Sequence, residues 1–229
     1  LRLIDSIVRQ DAMIIAWSAA GFAVAWIFGM TMYYVGQWGG GDAKMMWGLG
    51  IIFGLYGSYI PLLFLGLFIV TSLICGAVLA LGYAIYKAIE QKKIFATHFK
   101  QMYHSTARYK YLAWAVSGVL LGYSWWIQDI MVAILALLLF CLYYLYIFLH
   151  VVQYYCMIEV KHANDLVPGD WLMHQVRIDK HTHIPIRNTG MTPADITLLQ
   201  EHKKKVTLKV GMPFVPAFFI AFILLLIIL

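Results

Sequence analysis

Two short segments carry residue types that could do chemistry at a membrane. The first is Gly39-Gly40-Gly41-Asp42-Ala43-Lys44, an acid behind three glycines with a base two residues on. The second is Gly211-Met212-Pro213-Phe214-Val215-Pro216-Ala217-Phe218, which opens the last apolar run. An ionisable group in or beside lipid costs roughly 2.5–3.5 kcal/mol unless it is solvated or partnered. An acid held there is therefore a functional candidate. The chemistry open to it is hydrolysis by a carboxylate pair. One carboxylate takes a proton from water while the other, protonated, hydrogen-bonds the scissile carbonyl. Gly39, Gly40 and Gly41 allow close backbone approach by a substrate or a neighbouring helix. Pro213 and Pro216 loosen a helix start and leave backbone donors and acceptors for an extended peptide. Plainer roles stand beside these. Asp42 suits the N-cap of a helix beginning at Ala43, and the second segment suits a proline-capped helix start. Lys44 suits either an interfacial position reached along its aliphatic stem or a pairing with an acidic substrate residue.

Composition decides where such residues must work. The chain of 229 residues is 62% hydrophobic and 12% charged, with a mean hydropathy of +0.77. A water-soluble fold of this length cannot hide that much apolar surface, so the expectation is a polytopic membrane protein. Eight Trp and fifteen Tyr suit interfacial belts. The net charge of +6 points to topology and not to nucleic acid, because the basic residues gather in two blocks between apolar runs. Cys75, Cys141 and Cys156 lie in or beside apolar stretches without metal-ligand spacing and read as core thiols. The chain opens on Leu1-Arg2-Leu3-Ile4-Asp5, which reads like the continuation of a preceding segment.

Six apolar stretches predict about six transmembrane helices, at residues 12–35, 43–59, 61–86, 111–127, 130–157 and 210–229. The second is short, about 25 Å at 1.5 Å per residue, and needs recessed ends. A basic loop with Lys87, Lys92, Lys93, Lys100, Arg108 and Lys110 separates the third and fourth stretches. The only long polar stretch, residues 159–209, holds eight more basic residues, so the two regions carry 14 of the 17. The positive-inside rule assigns both to the cytoplasm. The fourth and fifth helices then form a hairpin turning outside at Gln128-Asp129. Asp42 and the 211–218 segment fall on one cytoplasmic face.

The polar stretch predicts a small folded unit. Val167-Pro168-Gly169-Asp170 fits a type II turn. Val176 and Ile178, Ile184 and Ile186, and Val206, Leu208 and Val210 alternate at strand spacing. Thr192-Pro193-Ala194-Asp195 starts a helix, with Thr as cap, Pro at the first position and an acid at the third. The expected fold is thus all-α and polytopic, with a small α+β cytoplasmic subdomain before the last helix. Its parts are a membrane domain at 1–158, the subdomain at 159–209 and a last transmembrane helix at 210–229.

The Gly-Gly-Gly-Asp-Ala-Lys run, continued by Gly48 and Gly50, resembles the GxGD signature of intramembrane aspartyl proteases. It is most similar to the prepilin and preflagellin peptidase branch, where the motif reads GxGDxK. Pro213-Phe214-Val215-Pro216 resembles the Pro-Phe-x-Pro element that opens the last helix of those enzymes. The resemblance covers about 21–50 and 166 to the end. It implies an archaeal-type aspartic endopeptidase of the plasma membrane, acting without cofactor or metal on type IV pilin-like or archaellin precursors. Such precursors carry a short basic leader before a hydrophobic helix, cut at the cytoplasmic boundary. Asp42 would be one of two catalytic acids. Gly39, Gly40, Gly41, Lys44, Pro213, Phe214 and Pro216 would shape the cleft.

One departure matters. The family's first catalytic aspartate lies in an early helix before a basic residue and Ile-Pro or Val-Pro, and this chain has no such motif. Asp5, Asp11 and Asp129 fall on the expected external face, about 30 Å from Asp42. Asp165, Asp170, Asp179 and Asp195 are cytoplasmic, with Asp170 read as a turn residue and Asp195 as a helix cap. The expectation is a polypeptide extending upstream, with residues 1–229 inactive by themselves. His181 and His183 share a strand face but lack Cys or carboxylate company, so they read as surface residues. The rival readings are a non-catalytic polytopic protein, either a transporter or a scaffold, and a pseudo-protease that binds pilins without cutting them.

Overall fold

A computed structural model describes residues 12–54, 59–179, 182–202 and 204–228, with side chains described from residue 64 onward in the segment that starts at 59. Asp5, Asp11, Lys180, His181 and Lys203 lie outside the described residues. The elements run α1 (Met13–Tyr34), α2 (Gly40–Phe53), α3 (Tyr59–Glu90), α4 (Lys92–Ser105), α5 (Ala107–Ile127), α6 (Ile130–Val151), β1 (Ile158–His162), β2 (Trp171–Leu172), β3 (Val176–Arg177), β4 (His183–Ile184), α7 (Pro193–Glu201), β5 (Lys205–Lys209) and α8 (Val215–Ile228). A π-helical turn, Val152–Cys156, extends α6.

Three described helices are long and apolar enough to cross a membrane: Met13–Tyr34, Phe64–Glu90 and Ile130–Cys156. The protein is therefore a helical, multi-pass membrane protein with a small β-containing region before its last helix. The other three expected spans do not reach that standard as described. Helices α2 and α8 have 14 residues each, about 21 Å against a hydrocarbon core of about 30 Å. Helix α5 has 21 residues, but its Tyr, Trp, Ser and Gly residues and its first-turn Arg108 and Lys110 leave it less apolar than the three spans.

Two further expectations are corrected. The basic loop after the third stretch is helical, as α4, because residues 87–110 contain no Gly or Pro to break the chain. The last helix begins at Val215 and not at 210. Pro213 and Pro216 explain this, since proline is accepted in a first turn but cannot continue a helix from upstream.

The chain forms two compact units, one made of residues 1–82 and 159–229, the other of Tyr83–Ile158. In the first unit α1 and α2 pack closely. Helix α1 buries one stripe, Ile14, Ser18, Gly21, Ala25 and Gly29. A methyl group on Gly21 would lie 2.5 Å from the Gly50 carbonyl oxygen, and one on Gly50 would lie 2.3 Å from the Ala25 Cβ. Small residues at helical spacing let two backbones touch where lipid supplies no hydrophobic drive. Helix α2 ends at Gly54, whose φ of +60° suits glycine and whose N–H bonds the Gly50 carbonyl at 3.0 Å.

The subdomain belongs to the same unit. Strands β1, β5 and β2 form a sheet in that order, with Trp171 opposite Lys209 and Leu172 opposite Leu208. Strands β3 and β4 form a hairpin with Val176 opposite Ile184. The expected turn at 167–170 is present, with Gly169 at φ +97° and the Asp170 N–H on the Val167 carbonyl at 3.0 Å. The Thr192–Asp195 helix start is also present, as a reciprocal cap. Leu172, Ile184, Ile196, Leu199, Val206 and Leu208 fill the interior.

In the second unit α5 and α6 form a hairpin, turning at Gln128 and Asp129 as expected. Asp129 caps α6 by accepting the Met131 N–H at 2.8 Å. The buried residues of α5 are all polar: Lys110, Ser117 and Ser124, seven apart on one face. Its apolar residues face outward, the reverse of a helix in a water-soluble core. Of the three thiols, Cys75 and Cys156 are buried, whereas Cys141 is exposed and is not a core residue.

Candidate active site

Asp42 sits in the first turn of α2 as its third residue, not as the cap that the sequence suggests. Gly39 is the cap, in extended backbone, and its N–H donates to Asp42 Oδ2 at 3.1 Å. Gly39 has no side chain to return that bond, so only half of a capping box exists here. The half-buried carboxylate also faces the backbone N–H of Phe214, brought from the far end of the chain. No charged side chain among the described residues acts on it. Two backbone donors on a carboxylate favour its ionised form, while burial opposes it.

The approach of Phe214 to Asp42 is set by aromatic packing. Trp38, just before the glycines, is buried. Its ring lies 5.0 Å from that of Phe214 and 5.3 Å from that of Phe218, edge-on to the latter, and Phe28 meets its other side at 5.4 Å. Phe214 and Phe218 stack edge-to-face at 5.1 Å. Gly76 of α3 supplies the floor, since a methyl group there would lie 2.2 Å from the Phe214 ring. Trp38 and Gly76 were missed by motif reading. The signal for Trp38 was its position directly before the glycine run, and Gly76 had none, because its partner is 138 positions away.

The subdomain reaches the same place. Gly36, at φ +76°, packs against Asn188, which also donates to the Tyr34 carbonyl at 3.5 Å. The loop bearing Asn188 is fixed by the neighbouring pair of Arg187 with Asp195. Gly211 lies against Trp171, where a methyl group would meet the indole at 3.1 Å. Both ends of the subdomain are thus tied to the two segments that carry the candidate residues.

Gly40, Gly41, Lys44, Pro213 and Pro216 are exposed, and Gly39 and Phe214 are half-buried. Lys44 has no acidic partner among the described residues. Gly48 faces open space, while Gly50 makes the helix contact described above. Three acids of the polar stretch are engaged elsewhere: Asp170 accepts from the Val167 N–H at 3.0 Å, Asp179 lies 3.8 Å from His202, and Asp195 pairs with Arg187. Among the described residues no cluster of three His, Cys, Asp or Glu side chains is arranged around a common point.

Fold and site together define a polytopic helical membrane protein with one carboxylate held at the foot of a short helix. Comparison of the chain with family models, with curated proteins and with solved structures found no match.

Proposed function

We propose that this protein is an aspartic-type endopeptidase of the prepilin and preflagellin kind, and that Asp42 is one of its two catalytic carboxylates. One observation carries the reading: Trp38, just before the glycines, packs on Phe214 at 5.0 Å and brings its backbone toward the Asp42 carboxylate, so the two motifs lie together. In this reading the glycines at 39–41 leave room beside Asp42 for a peptide backbone. Asp42 takes a proton from the attacking water while a second carboxylic acid polarises the scissile carbonyl. The loosened start of α8 at Pro213 and Pro216 offers main-chain groups to an extended substrate. Lys44 stands exposed beside the acid, available to an acidic substrate residue. The substrates are type IV pilin-like or archaellin precursors, met where their basic leader joins a hydrophobic helix. The positive charge of the 159–209 segment supports the cytoplasmic face of the plasma membrane as the place of this work.

A second reading is favoured by a specific observation. Among the described residues no second carboxylate faces Asp42. With that group alone the 229-residue chain binds a precursor without cutting it, as a pseudo-protease would. Both readings share the cleft and are tested together. The chain is reconstituted in liposomes with a synthetic precursor, a basic leader joined to an apolar helix with a photo-crosslinker at the junction. Crosslinks to 39–44 or 211–216 are expected, and no cleavage. Labelling no greater than that of a leader with reversed charge removes the precursor-binding reading. Cleavage that survives Asp42→Asn removes the assignment of Asp42.

A further inference from the structure

Helix α5 holds a lysine in its first turn that is almost wholly covered by aromatic rings. Lys110 is 9% exposed. Its Nζ lies 4.3 Å from the ring centre of Tyr103, 4.8 Å from that of Tyr111 and 5.8 Å from that of Trp114. Aromatic faces compensate a cation's charge, but they leave its three N–H donors without a true acceptor. No acid pairs with it among the described residues. None stands near it in sequence either: residues 91–128 contain no Asp or Glu but hold Lys92, Lys93, Lys100, Arg108 and Lys110. Two nearby hydroxyls already have partners, Tyr143 with Thr106 at 3.1 Å and Tyr144 with the Trp114 N–H at 3.3 Å.

Two turns further along the same face is a buried polar group with no partner. Ser117 is 4% exposed, and its hydroxyl has no hydrogen-bond partner. It lines a groove of about 460 Å³ between α5 and α6, whose other walls include Leu121, Ala136, Leu137 and Phe140. Down one helix face the order is therefore a cation, a hydroxyl and an apolar channel. A diacyl phospholipid presents the matching order: phosphate, glycerol esters and acyl chain. The excess of basic residues in α4 and early α5 favours an anionic headgroup, each such residue near a membrane surface adding to the attraction.

We propose that the α4–α6 unit carries a binding site for one anionic phospholipid, its phosphate on Lys110, an ester carbonyl within reach of Ser117 and one acyl chain in the α5–α6 groove. The site is separate from Asp42 and does not depend on the peptidase reading.

The test is native mass spectrometry of the full chain in a mild non-ionic detergent, titrated with phosphatidylglycerol or with phosphatidylcholine of the same chain length. One phosphatidylglycerol is expected to bind at a concentration about tenfold lower than phosphatidylcholine, the scale of one charge-assisted contact. Lys110→Met should remove that preference, Lys110→Arg should keep it, and the surface control Lys93→Gln should leave it unchanged. Leu121→Trp, which fills the groove without touching the charge, should weaken binding of both lipids. Equal binding of the two lipids by the unaltered chain overturns the proposal. So does a preference that Lys110→Met and Leu121→Trp both leave intact. Displacement of the lipid by millimolar inorganic phosphate would make the site one for the free anion, which also overturns it.

Discussion

Asp42 and Asp195 occupy the same position in their helices, the third residue of the first turn, and each turns its carboxylate back to the amide of its cap residue. Their remaining surroundings differ. Asp195 Oδ2 receives the Thr192 N–H at 2.8 Å, the Thr192 hydroxyl at 2.7 Å and the Arg187 guanidinium. Asp42 receives only backbone donors, from Gly39 and Phe214. Both follow one local rule, by which an acid is stabilised at a helix start. Residue types decide what is left over. A threonine cap and an arginine crowd one carboxylate, while a glycine cap leaves the other with lone pairs for water or a peptide. Asp195 is held by side-chain donors and Asp42 is not, although helix position alone makes them alike.

The comparison breaks most sharply on substitution by the amide. Asp42→Asn keeps an oxygen that can accept from Gly39, so thermal stability in detergent should change by about 1 kcal/mol at most. Under the proposed peptidase reading, precursor processing in cells that depend on this protein should fall by about 10²–10⁴-fold, the usual worth of a positioned general acid or base. If processing persists while stability falls, Asp42 is another Asp195.

Displacing Phe214 without touching the acid should have the next largest effect. Gly76→Val pushes a side chain into the Phe214 ring and moves its backbone away from Asp42. A shift of about 1 Å in a positioning group can cost about 10²-fold in rate. Crosslinking of the precursor to residues 211–216 should fall with it. Unchanged crosslinking and processing would mean that Phe214 is only packing.

Asp195→Ala should behave in the opposite sense to Asp42→Asn. It leaves Arg187 and the Thr192 N–H without their acceptor, a loss of about 2–3 kcal/mol in the subdomain. Hydrogen exchange should quicken across 187–199, and through Asn188 across 34–36. An effect confined to α7 would show that the loop does not transmit order to the glycine turn.

What was legible in the sequence follows the range of the interactions. The Thr192–Asp195 cap, the 167–170 turn and the hairpin at Gln128 and Asp129 are local and formed where their residues foretold, whereas of the alternating segments only Val176, Ile184, Val206 and Leu208 lie in strands and Ile178, Ile186 and Val210 do not. The apolar runs foretold helices, but length separated the three long spans from α2 and α8, and overall hydropathy separated them from α5. The start of the helix at Asp42 was misread because glycine has weak preferences of its own. Three glycines could precede the helix or enter it, and Gly40 and Gly41 entered. Trp38, Gly76 and the caged Lys110 were not legible, because each depends on a partner in another element. The meeting of Phe214 with Asp42 was foretold only as a shared membrane face, from charge.

The smallest effect, and the one that tests the comparison by charge alone, is pH. Burial disfavours the charged form of Asp195. The hydrogen bonds from the Thr192 hydroxyl and amide and from Arg187 outweigh it, so its pKa lies below the ordinary aspartate value. The folded state therefore binds its proton less readily than the unfolded chain does. The stability this contributes is fully present above about pH 3.9, the ordinary value, and is lost as pH falls through the lower folded value. Lys209 runs the other way: burial lowers its pKa, so its charge costs stability at neutral pH, and the cost is relieved as pH rises through its folded value toward about 10.4. Urea midpoints in detergent, compared between the unaltered chain and Asp195→Asn, should differ by a constant amount from about pH 5 to 8 and converge below about pH 4. Lys209→Met should raise the midpoint at neutral pH and lose that advantage in alkali. A difference at Asp195 that persists in strong acid would mean that neutral hydrogen bonds hold the cap. The contrast with Asp42 would then lie in the number of donors and not in their charge.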